Sequence, residues 1–162
     1  MKVPHISSDI ETRMGAEWLP AIYRDRVRSQ RTRSLELEIP ERENAAEIQY
    51  TLLGIELKVG KRRFACPDLA TARYLRVFAR AGVRRVALPY DITQIAQIAD
   101  EFELSWHRTF IYWSEASRDD TAVAAKRKRS SVVKSIREEI RAIGAGDAIP
   151  EFRQTMTQRK DV

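Results

Sequence analysis

The spacing of apolar residues is strand-like between residues 34 and 66 and helical on either side, and this block most limits how the chain can fold. In residues 34–39, leucine and isoleucine alternate with glutamate, which is typical of a half-buried strand. Residues 47–59 have the pattern of a longer strand whose phase slips near Gly54, and a glycine at such a slip indicates a bulge. Residues 62–66 form a third run after a Gly-Lys turn. We therefore expect three consecutive strands in an antiparallel meander.

Two helical patterns precede this block. The segment Ser8-Asp9-Ile10-Glu11 has the form of a capping box, in which the serine and glutamate side chains satisfy N–H groups at the start of a helix. Pro20 either kinks that helix or lies in the first turn of a second helix over about residues 20–33. Five arginines lie in this second segment: Arg24, Arg26, Arg28, Arg31 and Arg33.

The clearest helix follows the block. Asp68 is a good N-cap, and Gly82 is a good left-handed residue just past the last turn. A strand over residues 84–88 comes next, and two helices over about 91–115 and 121–143 complete the pattern. We expect an α/β fold with a small mixed sheet of about four strands. Its elements run in the order helix, three strands, helix, strand, and two C-terminal helices follow.

Length and composition narrow the class of protein. The 162 residues fit one domain, which we expect over residues 1–144 with a helical extension at 91–144 and a flexible tail at 145–162. Cys66 is the only cysteine, so an internal disulfide and a four-cysteine or Cys₂His₂ zinc site are excluded. The absence of a long apolar run and of a signal-peptide pattern predicts a cytoplasmic protein without a membrane partner.

The charge balance favours a polyanionic partner. The net charge is +6 and the sequence pI is about 9.7, as is common in proteins that bind nucleic acid. Arg73, Arg76 and Arg80 are spaced by three and four residues, so they share one face of the predicted helix. Their guanidinium groups suit phosphate contacts, and the alternative is an ordinary solvated helix face.

A second basic cluster is the run Lys126-Arg127-Lys128-Arg129 in the last helix. Four consecutive residues spread around the helix, so they cannot all face a dry core. Such a run attracts phosphate groups, although it is also compatible with a solvated helix. The helix over residues 91–115 instead has an acidic polar face with Asp100, Glu101 and Glu103.

Glu56 and Lys58 form a possible catalytic pair. Residues two apart on a strand point to the same face, so a carboxylate that binds a divalent metal would lie beside an ammonium that stabilises a phosphate. The alternative is the alternation of charges on the wet face of a strand.

These residues carry a resemblance to a known family. The stretch Ile55-Glu56-Leu57-Lys58 is followed by Lys61-Arg62-Arg63-Phe64, by residues 75–82 and by Val86-Ala87-Leu88, and over residues 8–90 it resembles the PD-(D/E)xK nucleases. The resemblance implies Mg²⁺-dependent cleavage with Glu56 and an upstream acid as metal ligands. This sequence has no aspartate between Asp25 and Asp68, so a glutamate has to supply that ligand. The nearest candidates are Glu41, Glu43 and Glu47.

An aromatic set lies on the long acidic helix. Trp106, Phe110, Tyr112 and Trp113 could stack on bases, but at helical spacing such residues more often pack against a neighbouring helix. We expect His107 to be structural or exposed. Cys66 is either buried or activated by the helix that follows it.

Three hypotheses follow. The leading one is a nucleic-acid-binding module that uses arginine-rich helical faces with limited sequence specificity and needs no cofactor. The second is a Mg²⁺-dependent nuclease. The third is a protein-interaction domain, whose two C-terminal helices could also form a homo-oligomer. Whether the protein is an enzyme stays open among them.

Overall fold

Residues 3–146, which the computed structural model describes, form a mixed α/β fold with two C-terminal helices. The class and the helical C-terminal region are as predicted. The strands form two antiparallel sheets instead of one mixed sheet. The elements are α1 (Val3–Met14), α2 (Leu19–Ile22, continued by a π-helical turn Tyr23–Val27), β1 (Thr32–Glu36), β2 (Ala46–Thr51), β3 (Gly54–Val59), β4 (Arg62–Cys66), α3 (Leu69–Ala81), β5 (Arg85–Pro89), α4 (Ile95–Ala116) and α5 (Ala122–Ile143).

The antiparallel meander is built from β2, β3 and β4, so its predicted composition is wrong. The long strand expected over residues 47–59 breaks into two at a tight turn. There the Thr51 hydroxyl accepts from the N–H of Leu53 and donates to the carbonyl of Gly54, each at 3.1 Å. Gly54 has a φ of 125°, which only glycine adopts readily, so the phase slip marks a turn and not a bulge.

The first predicted strand belongs to a different sheet. β1 pairs antiparallel with β5, with Leu35 opposite Val86. The regular ladder ends at Glu36, after which the N–H of Leu37 still donates to the carbonyl of Arg84 at 2.6 Å. The alternating pattern therefore identified a strand correctly but could not identify its partner.

The N-terminal helices begin elsewhere than predicted. α1 starts at Val3, so Ser8 lies inside the helix, where its carbonyl accepts from the Thr12 hydroxyl. The predicted capping box is therefore wrong. Pro20 lies in the first turn of α2, which confirms one of the two alternatives, and this helical segment ends at Val27 instead of residue 33.

α3 lies at the centre of the core and has the predicted ends. The Asp68 carboxylate accepts from the N–H of Thr71 at 2.7 Å, and Gly82 ends the helix with a φ of 76°. Tyr74 and Phe78 are fully buried and contact Phe102 of α4 at ring-centroid distances of 5.2 and 5.1 Å.

The connection between β1 and β2, residues 37–45, is fixed against the end of α3 and is called the β1–β2 segment below. Leu37 and Ile39 are buried, and the Asn44 amide donates to three backbone carbonyls, of residues 40, 42 and 79. The backbone of Arg42 lies so close to Gly82 that a Cβ at Gly82 would be 2.3 Å from the Arg42 oxygen. This packing holds the charged side chains of the segment at the surface.

The two C-terminal helices complete the core. α5 begins at an N-cap, where the Thr121 hydroxyl accepts from the N–H of Ala124. It buries four aliphatic side chains: Val132, Val133, Ile136 and Ile140. Among the described residues, no helix is long and apolar enough to cross a membrane. Most of the predicted tail, residues 147–162, lies outside the described residues.

Candidate functional site

The arginine stripe of α3 lies against the acidic face of α4. Arg73 donates to Glu103 at 2.6 and 3.1 Å and also contacts Asp100. Arg76 donates to Glu103 at 3.0 Å. Burial raises the pKa of Glu103, but the hydrogen bonds from the two arginines outweigh it, so the pKa is lowered overall. Arg80 is half-buried and makes no carboxylate contact within residues 3–146.

Two arginines of the stripe therefore serve to join α3 to α4. Their best hydrogen-bond donors are already directed at carboxylates, which a phosphate would have to displace. Phosphate contact by Arg73, Arg76 and Arg80 stays a prediction, and the structure gives two of the three a packing role.

The basic run of α5 divides into two pairs. Lys126 and Arg127 are exposed. Lys128 donates to Asp120 at 2.7 Å and to the carbonyl of Ala116, which joins α5 to the end of α4. The last member, Arg129, contacts Glu43 through two nitrogens at 2.6–3.0 Å and stacks on the ring of Phe110 at 4.0 Å.

Glu56 and Lys58 share the outer face of β3, as their spacing predicts. Glu56 contacts Arg63 of β4 at 3.3 Å, and Lys58 lies between Glu47 and Arg63 in the strand register. Within the described part of the chain, no group of three or more histidine, cysteine or acidic residues is arranged to hold a metal ion.

The upstream acids are engaged elsewhere. Glu41 contacts Arg141 at 2.5 Å and Arg84 at 3.6 Å, while Glu43 contacts Arg129. Four strands precede α3, where the nuclease resemblance implies three. The assignment of Glu56 and Lys58 as catalytic residues, with Glu56 and Glu41 as metal ligands, stays a prediction.

The aromatic set and the cysteine are mainly packing residues. Trp106 is buried, and the indole of Trp113 donates to the carbonyl of Ala125 at 2.8 Å. His107 is exposed. Cys66 is buried, and this burial raises the pKa of its thiol, which opposes thiolate chemistry.

A further cationic surface is a groove that sequence patterns did not reveal. Its central cleft, of about 780 Å³, lies between the β1–β2 segment and the turn joining β3 to β4. The cleft adjoins a second one of about 650 Å³ beside the first half of α5, with which it shares Arg42, Asn44 and Gly60. On its other side it shares Glu36 and Arg84 with a cavity of about 310 Å³ near the end of α5. We call the three together the basic groove.

The lining of the basic groove holds most of the excess charge of the chain. It contains four acidic residues, Glu36, Glu38, Glu41 and Glu43. It contains nine basic residues, Arg42, Lys61, Arg62, Arg84, Arg85, Lys126, Arg129, Arg137 and Arg141. The lining therefore has a net charge of +5, against +6 for the whole chain.

Five of these nine cations contact no carboxylate among the residues that the structure describes: Arg42, Lys61, Arg85, Lys126 and Arg137. Four of the five are exposed. Arg137 is half-buried and donates to the carbonyl of Ala81 at 2.9 Å. Partial burial lowers the pKa of Arg137; the nearby charge of Glu41 opposes this shift, and that of Arg141 adds to it. The groove therefore holds positive charge that protein groups have not neutralised.

A cleft that shares no lining residue with the basic groove has the opposite charge balance. It measures about 640 Å³, and its lining contains Glu11 and Glu139 but only one basic residue, Arg24. Burial raises the pKa of Glu139, and the neighbouring Glu11 adds to the effect. The excess of positive charge is thus a property of the basic groove and not of every concave surface.

Comparison with known proteins adds no assignment: no family model, no curated protein and no solved structure matches this chain. The function has to be inferred from the geometry and charge of the groove.

Proposed function

We propose that this protein binds nucleic acid along the basic groove. The observation that carries the proposal is the net charge of +5 on the combined lining of three neighbouring clefts, in which five cations contact no carboxylate among the described residues. Neutralising phosphates with such cations releases condensed counterions, which supplies most of the sequence-independent affinity for nucleic acid.

The shape of the groove favours a linear polyanion over a single small anion. Lys126 and Arg141 line its two ends, and they are 15 residues apart in α5. At 1.5 Å per residue this separation is about 22 Å. One strand of a nucleic-acid duplex carries a phosphate every ~3.4 Å, so roughly six phosphates fit along the groove.

The cations are suited to phosphate contacts and not to reading bases. Four of the five free ones are exposed, on the β1–β2 segment, the β3–β4 turn, the start of β5 and α5. Trp106 is buried and Phe110 is covered by Arg129, so both are poorly placed for base stacking. Limited sequence specificity therefore remains part of the proposal.

Cleavage is not part of the proposal. Arg63 engages Glu56, and the upstream glutamates 41 and 43 are engaged by other arginines. Homo-oligomer formation through the C-terminal helices also stays a prediction. The apolar residues that are compatible with it are Leu104 and Ile111, which are exposed seven residues apart on α4.

Binding of a fluorescein-labelled 12-nucleotide strand, and of the matching duplex, tests the proposal. Fluorescence anisotropy should show binding at about 50 mM salt, and the affinity should fall steeply by about 200 mM. The double variant Arg42→Gln/Lys126→Gln should weaken binding and reduce the salt slope by roughly one for each cation removed.

A matched control variant distinguishes the effect of the groove cations on binding from the effect of the overall net charge. Arg33 and Arg118 are exposed and lie outside the groove lining. Arg33→Gln/Arg118→Gln lowers the net charge by the same amount as the groove variant, and it should leave the salt slope nearly unchanged. Absence of binding by the wild-type protein at low salt, or equal loss in both variants, would overturn the proposal.

A further inference from the structure

The cavity at one end of the basic groove differs from the rest of it in enclosure and composition. It lies between the end of α5 and the start of β5, and we call it the arginine cavity. Its charged lining consists of four arginines and two glutamates, a net charge of +2: Arg84, Arg85, Arg137, Arg141, Glu36 and Glu41. Val83, Gly144 and Ala145 complete the wall.

Two of these arginines share one carboxylate of the protein, which offsets one of their two positive charges. Glu41 contacts both Arg84 and Arg141. Arg85 and Arg137 have no such contact within residues 3–146. The hydrogen bond from Arg137 to Ala81 fixes that guanidinium at the wall, while the Arg85 side chain is exposed. Arg85, which is opposite Glu36 in the strand register, and Arg137 both line the cavity. A guanidinium group suits an oxyanion, because it offers several N–H donors in a fixed plane.

The size of the cavity limits the ligand. A volume of about 310 Å³ is at the lower end of the range for small-molecule sites. It accommodates a phosphate with a small organic part, and it excludes a duplex or a folded segment.

The charge selects the kind of phosphate. A phosphate monoester carries about −1.5 to −2 at pH 7, because its second pKa is near 6. A phosphodiester within a strand carries one negative charge per phosphate. A net charge of +2 in the lining therefore complements a monoester better than a diester.

We propose that the arginine cavity binds a phosphate monoester, either the terminal phosphate of a nucleic-acid strand or the phosphate of a mononucleotide. The first source rests on the proposed function, because the cavity is one end of the basic groove. With the strand in the groove, the cavity recognises its phosphorylated end.

The test compares 12-nucleotide strands of one sequence that end in a 5′-phosphate, a 3′-phosphate or hydroxyl groups only. One of the phosphorylated strands should bind about tenfold more tightly than the hydroxyl strand, as expected for one added set of charge-assisted hydrogen bonds. The advantage should shrink as the pH falls through about 6, where the monoester takes up a proton.

Two variants locate the effect. Arg85→Gln removes an exposed cavity cation that makes no ion pair among the described residues, so it should abolish the tenfold preference without unfolding the protein. Arg42 lies outside the cavity lining. Arg42→Gln should therefore weaken the binding of all three strands alike and keep the preference for the phosphorylated strand. Competition by a nucleoside monophosphate distinguishes the two sources, because it displaces the phosphorylated strand only if the cavity also accepts the free mononucleotide.

The outcomes separate this inference from the proposed function. Equal binding of all three strands would overturn the inference and leave nucleic-acid binding intact. If no strand binds at low salt, the proposed function fails, and the cavity is then tested alone by the melting temperature with a nucleoside monophosphate. A rise in the wild-type protein that is absent in Arg85→Gln would support the cavity, and no rise would overturn it.

Discussion

Two sets of arginines and lysines in this molecule differ in what they contact. On α3, Arg73 and Arg76 point at Glu103 and hold two helices together. In the basic groove, Arg42, Lys61 and Lys126 are exposed and contact no carboxylate among the described residues. The first set is regular in sequence and the second is scattered, yet the second has the charge available for a ligand.

The difference shows what helical spacing can and cannot establish. Residues three and four apart share a face, which correctly grouped the α3 stripe. The spacing cannot say what covers that face, and here α4 presents Asp100 and Glu103 to it. A basic face opposed by an acidic one is a packing surface, so the two sets should respond differently to substitution.

The largest effect on stability is expected at Gly82, where the end of α3 packs against the β1–β2 segment of the groove. A Cβ there would lie 2.3 Å from the backbone oxygen of Arg42, and the φ of 76° disfavours any other residue. Gly82→Ala should lower the free energy of unfolding by roughly 2–5 kcal/mol and displace the β1–β2 segment that lines the groove. Urea denaturation measures the first effect. A change below about 0.5 kcal/mol would contradict the close packing.

Arg73→Gln should lower the free energy of unfolding by about 1–3 kcal/mol, because it leaves half-buried Glu103 with one hydrogen-bond partner fewer. It should leave the affinity for nucleic acid unchanged at a temperature where the variant is folded. Arg42→Gln should show the reverse, with stability within about 0.5 kcal/mol of wild type and weaker binding. If both variants lower stability, or both weaken binding, the distinction between the α3 stripe and the groove cations is wrong.

A smaller, pH-dependent effect should come from Glu103. Because its pKa in the folded protein is lowered below the ordinary 4.5, the carboxylate stabilises the fold above that pH. This contribution is lost as the pH falls through the lowered pKa. Glu103→Gln should therefore cost stability at pH 7, and the cost should shrink below about pH 4.5. Thermal melting of both proteins from pH 7 to pH 3 measures this, and a constant cost would contradict the ion-pair assignment.

Local signals predicted much of the fold and less of the site. Asp68 and Gly82 set the ends of α3, since a cap and a left-handed glycine act within one turn. The pairing of β1 with β5 depends on contacts about fifty residues apart, which a single alternating pattern does not encode. The groove likewise depends on contacts between residues that are distant in the sequence. Lys126 and Arg129 were singled out from the sequence, but Arg42, Lys61 and Arg137 come together only through folding.

The most direct test compares two triple variants with the same net charge. Arg42→Gln/Lys61→Gln/Lys126→Gln removes groove cations, and Arg73→Gln/Arg76→Gln/Arg80→Gln removes the α3 stripe, and each lowers the net charge from +6 to +3. The salt dependence of binding to one labelled 12-nucleotide strand is measured for both, well below their melting temperatures. If the stripe variant does not fold, the single variants Arg73→Gln and Arg42→Gln, which again have equal net charge, replace the two triple variants, and the slope should fall by about one only in Arg42→Gln. The account predicts a slope reduced by about two to three for the groove variant and nearly unchanged for the stripe variant. Equal slopes, or a larger reduction in the stripe variant, would contradict it.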